Sequence, residues 1–212
     1  MGFATDYYRG HDVLLEMPNA HGTRDEQETV RVDMLDNGIG QVALDRVAVP
    51  TLGRPWLFTL TSRADLTSFL AWCTRRRGAY KELWIPTWRR DFQLVGNQDA
   101  GDTDLVTYAT GYPDTSFASE ARRHLAIMTQ GAGVRTLTLR RITAAVDNGD
   151  GTQTITIETA AGIALDPFAQ LSFLVLARLE SDDIPIQYFH LGLQEVAVRF
   201  VELPRQVERS AS

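Results

Sequence analysis

The sequence predicts a mainly β protein with one prominent helix, and three observations carry that prediction. Short segments rich in Val, Ile, Thr and Leu recur between turn residues over most of the chain, the pattern of half-buried strands. Only the stretch from Ser62 to Gly78 has a convincing helical period. A polar run at 96–102, with two glycines and no apolar residue beyond alanine, marks an internal boundary.

Helix 62–77 is predicted from its ends and its face. Ser62 followed by Asp65 is a capping-box arrangement with Asp in place of Glu, and an early carboxylate suits the positive end of the helix dipole. Leu66, Phe69, Leu70 and Cys73 fall at i, i+3, i+4 and i+7 and define the expected apolar face. Arg75, Arg76 and Arg77 fill the last turn, and Gly78 is the expected left-handed terminator.

Ahead of the helix, strands are read at Val13–Glu16, Thr29–Met34, Gln41–Val47 and Trp56–Thr61. Turns are read at Pro18, Asn19 and Gly22 and at Asp36, Asn37 and Gly38. Val30, Val32 and Met34 share one face of their strand, while Thr29, Arg31 and Asp33 share the other. After the helix, Leu83–Ile85 and Phe92–Val95 read as two strands joined by a turn.

Leu105–Ala109, His124–Thr129, Val134–Ile142 and Thr152–Glu158 are short strands whose spacing suits a small barrel or sandwich. Leu171–Arg178 is nearly continuous apolar, as in a strand covered on both sides. Ile184–Gly192 and Gln194–Glu202 follow as hairpin partners, and the tail after Pro204 has no period and is expected to be mobile. The resulting division is 1–98 with 171–212 as one β domain and 99–170 as an inserted small β-barrel or sandwich.

The length of 212 residues, with 44% hydrophobic and 23% charged residues, accommodates one large β domain or two small ones. A formal charge of -6 and a pI near 5.2 argue against a dedicated nucleic-acid binder. The single cysteine, Cys73, excludes an intrachain disulfide and suits a protein made in a reducing cytoplasm. No signal-peptide core and no stretch of membrane-spanning length is visible, so no membrane partner is expected.

Candidate chemistry is sparse. Asp147, Asn148, Gly149, Asp150 and Gly151 resemble a calcium loop in composition only, since the ligand spacing fails and strands flank them, so the run is read as a hairpin turn. His11, His21, His124 and His190 are scattered without metal-ligand spacing. Asp182 and Asp183, like Asp25 and Glu26, are adjacent and cannot face one substrate. There is no nucleophile elbow and no phosphate loop, so no catalytic, metal or cofactor residues are assigned. The expectation is a protein that is not an enzyme.

What stands out is a cluster of interface-type residues: Arg75, Arg76, Arg77, Trp84, Trp88, Arg89 and Arg90. Trp and Arg are the residues enriched at the centres of protein interfaces. The competing reading makes Trp84 and Trp88 part of the core.

The run from Leu66 to Phe92, an apolar helix ending in RRRG and followed by LWIPTW and an Asp-Phe pair, resembles tail proteins of tailed bacteriophages and prophages. The C-terminal SFLVLARLESDDIPIQYFH and VRFVELP look like the ending of the same family. The likeness is to the distal tail protein, a minor tail protein that forms a ring between tail tube and baseplate hub. It implies a β-sandwich or split-barrel ring domain carrying one helix, in a structural component of the virion tail assembled in the host bacterial cytoplasm.

The implied partners are further copies of the chain in a ring, hexameric by resemblance, together with the tail tube protein and the baseplate hub protein. DNA is expected to pass through the lumen without specific binding. Arg77, Gly78, Trp84, Pro86, Trp88 and Asp91 are the positions carried over as fold and interface residues. The alternative is a carbohydrate- or receptor-binding β module at the tail tip, with Tyr108, Tyr112, Phe117 and Phe168 as stacking candidates. A third reading, a cell-wall hydrolase, lacks an acid pair or metal site to support it.

Overall fold

Alternation of apolar and polar side chains at every second position dictates strands, and in the computed structural model strands dominate. The structure describes residues 3, 5–19, 33–36, 41–44, 56–131, 134–190, 192–203 and 206–207. Most of the expected strand Thr29–Met34 with Val30 and Val32, the Asn37–Gly38 turn and residues 45–47 lie outside the described residues.

In chain order the elements begin with β1 (Thr5–Tyr8), β2 (His11–Leu14), β3 (Asp33–Asp36), β4 (Gln41–Leu44), β5 (Trp56–Leu60), α1 (Arg63–Arg76) and β6 (Leu83–Pro86). They continue with β7 (Asp104–Tyr108), α2 (Tyr112–Thr115), β8 (His124–Gly131), β9 (Val134–Asp147) and β10 (Thr152–Ile157). The last are β11 (Gln170–Leu179), β12 (Ile186–His190), β13 (Leu193–Val198) and β14 (Phe200–Glu202). Among the described residues the protein is therefore mainly β with few helices, as the recurring strand and turn pattern predicts. Among the described residues no helix is long and apolar enough to cross a membrane.

Two units divide the chain, one formed by Met1–Leu83 with Ala177–Leu203 and the other by Trp84–Leu176 with Pro204–Ser212. The boundaries read from composition stood at 98/99 and 170/171. The segment 84–98 belongs with the second unit because its backbone bonds go there: Asp91 N donates to Leu171 O at 2.9 Å and Val95 N to Val106 O at 3.0 Å.

In the first unit β1 and β2 form a hairpin with Tyr8 opposite His11. Its two-residue turn, Arg9 and Gly10, has φ of 44° and 88°, the positive pair that matches the twist of a tight hairpin. β3 and β4 pair with Asp36 opposite Gln41. β12, β13 and β5 form a three-stranded antiparallel sheet. Trp56, Phe58 and Leu60 of β5 and Val196 and Val198 of β13 are buried from it.

Helix α1 starts at Ser62 as expected: Asp65 N donates to Ser62 Oγ at 3.1 Å and Ser62 Oγ donates back to the Asp65 carboxylate at 2.8 Å. Its buried stripe is Asp65, Phe69, Trp72 and Arg76, rotated from the expected Leu66, Phe69, Leu70 and Cys73. Leu70 is exposed. The indole of Trp72 is the largest apolar group on the helix, so the face that buries it wins over one that buries two leucines. The Phe3 ring lies 5.5 Å from Phe58, 5.0 Å from Phe69 and 5.6 Å from Trp72, joining helix to sheet.

The helix also ends one residue earlier than Gly78 would set. Arg77 takes the left-handed conformation at φ 52°, ψ 48°, and Gly78 opens a 3-10 turn to Tyr80. The closing bonds, Arg77 N to Thr74 O and Lys81 N to Arg76 O at 3.1 Å, satisfy terminal carbonyls and hold the left-handed residue in place.

The second unit closes a sheet on itself. β11, β8, β9, β10 and β7 pair antiparallel in that order. Leu94 bridges Thr107 of β7, and Phe92 bridges Leu171 of β11, so the segment at Phe92–Leu94 joins the two edges. Closure pairs the two edges along this segment. The 14-residue β9 takes part in two hairpins, with a register slip opposite Thr156 and Ile157 that bends the strand.

Leu105, Leu125, Ile127, Ile142, Ile155, Ile157, Leu165 and Leu171 fill the core together with Phe92 and Tyr112. The Asp147–Gly151 run is a hairpin turn: Gly149 and Gly151 have φ of 76° and 84°, and Asn148 N donates to Thr152 O. From the tail expected to be mobile, Val207 is buried.

Candidate interface residues

The arginine and tryptophan residues singled out in the sequence fall in both units and do different jobs. In the first unit Arg75 and Arg77 are exposed, while Arg76 is buried. The Arg76 guanidinium pairs with the Asp12 carboxylate of β2 and donates to Glu82 O at 3.3 Å. A buried cation demands such partners, so Arg76 ties the helix end to the strand beside it.

In the second unit Trp84 and Trp88 are both buried inside the chain. The Trp84 ring sits 4.6 Å from the His124 ring. Trp88 has φ of 58°, a left-handed backbone that costs about 1–2 kcal/mol for a residue with a Cβ, and burial of its indole offsets that cost.

The turn around Trp88 is pinned from below. Asp91 Oδ2 accepts from Thr87 Oγ1 at 2.5 Å and from Phe173 N at 2.7 Å, and Ser172 Oγ donates to Arg89 O. Arg89 and Arg90 are consequently presented at the surface. Arg89 Nε lies 3.9 Å from Asp91, and Arg90 Nη2 donates to Phe168 O at 3.1 Å.

A charged network absent from the sequence reading lies in the same unit. Arg141 holds the Glu120 carboxylate with two bonds of 2.6 and 2.8 Å. Arg123 and His124 approach the same carboxylate at 3.4 and 3.8 Å, and the Arg123 guanidinium covers the Phe117 ring at 4.2 Å. The Arg141 guanidinium, by its hydrogen bonds, holds the Glu120 carboxyl below its ordinary range. The Glu120–His124 spacing was visible in the sequence, but Arg141 joins only through the register that sets it opposite His124.

Of the four stacking candidates, Tyr108 and Phe168 are exposed and Tyr112 is buried. Tyr112 donates its hydroxyl to Arg122 O at 2.8 Å, and burial pushes its phenol pKa up. Phe117 packs against the barrel core under Arg123. Burial likewise pushes the Cys73 thiol up to about 11, leaving it a poor nucleophile at neutral pH. Among the described residues no group of three His, Cys, Asp or Glu side chains could hold a metal ion.

These arrangements brace a β fold and leave Arg75, Arg77, Arg89, Arg90, Tyr108 and Phe168 exposed. Neither a family model nor a curated protein matches the chain.

Proposed function

We propose that this chain is a structural component of a bacteriophage tail, a distal tail ring that joins the tail tube to the baseplate hub. The observation that carries the reading is that the two stretches resembling tail proteins meet: Phe173 N donates to the Asp91 carboxylate at 2.7 Å across 82 residues of sequence, and Ser172 Oγ donates to Arg89 O. Two motifs that bond to each other act as one fold element, which supports reading them together. The mainly β architecture, with one long helix among the described residues, supports the same reading.

In this role the work is done by repeated subunit contacts, with the chain's net charge of -6 repelling DNA in the lumen. Light scattering of the purified chain with negative-stain imaging tests it. Closed rings with a central opening are expected, and a strict monomer at high concentration counts against the ring. Exposed Tyr108 and Phe168 favour the carbohydrate- or receptor-binding alternative, for which a glycan array is the direct measurement.

A further inference from the structure

We propose that residues 111–123, the excursion between β7 and β8, form a strap that opens from the barrel as a unit, with the Glu120 carboxylate as its latch. The device lies within the second unit and does not depend on the tail reading.

The strap folds on itself. Thr115 N donates to Gly111 O at 3.1 Å, Phe117 N to Tyr112 O at 3.0 Å, Ser119 N to Ser116 O at 3.1 Å and Arg122 N to Ser119 O at 3.1 Å. The Tyr112 hydroxyl donates to Arg122 O and Arg123 Nε to Phe117 O, both at 2.8 Å, so its start is tied to its end. Gly111 opens it at φ 74°, a backbone that glycine adopts without a Cβ clash. The strands on either side bond outward instead, β7 to β10 and β8 to β9 and β11. A segment whose bonds close within itself leaves without breaking the sheet, which is the condition for local opening below the cost of global unfolding.

Rings fasten one end of the strap and a carboxylate the other. Tyr112 and Phe117 pack against the barrel core, with the Tyr112 ring 5.0 Å from Phe92 and 5.6 Å from Phe173. Glu120 reaches across to β9 and takes the two Arg141 bonds of 2.6 and 2.8 Å. Beside it Ile142 N donates to Arg123 O at 2.6 Å, fixing where the strap rejoins the barrel. Phe92 bridges Leu171 where the barrel edges meet, so an open strap bares the rings at that seam.

The latch is crowded with charge. Arg141 from β9, His124 from the start of β8 and Arg123 from the strap's own end all face the Glu120 carboxylate. Tyr112 of α2 feels its charge, and Glu158, beyond β10, accepts from Arg141 N at 3.2 Å. Removing the Glu120 charge takes the two-pronged partner from Arg141 and leaves Arg123 and Arg141 converging on a neutral group. The hydrogen bonds from Arg141 hold the Glu120 carboxyl below 4.5. Closure is therefore complete above 4.5 and weakens as pH falls through the folded-state value.

Hydrogen exchange read by mass spectrometry on the 212-residue chain tests this, comparing peptides of the strap with peptides of β8, β10 and β11. The strap amides are expected to exchange together and faster than those of the strands. Glu120→Gln speeds the strap by about tenfold or more and leaves the strand peptides unchanged. Arg141→Lys, which keeps the charge and loses the fork, speeds it less and is the second variant should Glu120→Gln not fold. With rates corrected for intrinsic pH dependence, acid brings the wild type towards Glu120→Gln. Strap amides as slow as the strands, or strap and strands moving together in the variants, overturn the opening unit. Strap amides that ignore both substitutions overturn the latch.

Discussion

The barrel and the helix-bearing unit solve the problem of the sheet edge in opposite ways. In the second unit the edges meet through Phe92 and Leu94, and the interior is mostly aliphatic, with Ile and Leu from β7 to β11. The first unit leaves β12 at the margin of a three-stranded sheet, with Tyr188 and Phe189 exposed on it. Its core joins the rings of Phe3, Phe58, Phe69 and Trp72 to aliphatic Val13, Leu14, Leu60 and Val196. A closed sheet satisfies its own backbone along both edges, and in each unit a group of rings packs among the aliphatic side chains: Phe92, Tyr112 and Phe173 in the second, Phe3, Phe69 and Trp72 in the first.

Truncation of a central ring in each unit gives the largest effects and tests that contrast. Phe92→Ala, which removes contacts at 5.0 Å to Tyr112 and 5.1 Å to Phe173, should cost about 3–5 kcal/mol in urea unfolding. Trp72→Ala should cost a similar amount, and a loss under about 1 kcal/mol in either would show that unit to be loosely packed.

Next in size, Glu120→Gln should destabilise by about 1.5–3 kcal/mol near neutral pH, the usual worth of hydrogen bonds to a charged group. The sign of its pH dependence follows from a carboxyl held below its ordinary value of 4.5. The stabilisation is present above 4.5, is lost as pH falls through the folded-state pKa, and so the variant and the wild type should converge in acid. Divergence that persists at pH 2 would assign the loss to packing.

Arg77→Gly should raise stability by about 0.5–1 kcal/mol, because glycine takes the left-handed position without the Cβ clash although it gains freedom in the unfolded chain. A decrease would mean that the arginine side chain makes a contact outweighing that clash. Phe168→Ala should leave the stability of the single chain within about 0.5 kcal/mol in urea unfolding, as expected for an exposed side chain, and a larger loss would show that its ring packs against the fold.

The helix start was legible because Ser62 and Asp65 act locally, through bonds within one turn. The glycine-broken hairpin at Asp147–Gly151 was legible for the same reason, since Asp147 Oδ1 accepts from Gly149 N and Asp150 Oδ1 from Thr152 N, both at 2.9 Å. The helix face was misplaced, because spacing counts apolar residues equally and Trp72 is larger than those chosen. The candidate cluster mixed buried with exposed side chains, because residue type says that Trp and Arg suit interfaces but not whether the fold encloses them.

By itself, then, the sequence determined the mainly β class, the cap of α1 and the positions of most strands from β7 onward, all consequences of period and turn chemistry over a few residues. Only the tertiary structure decided that Phe92–Leu94 would close a barrel, that Arg141 would find Glu120, that Arg76 would be buried against Asp12, and that Arg90 would bond the backbone of Phe168. Each of these joins residues far apart in sequence, and which distant groups meet is set by register and burial summed over the whole fold.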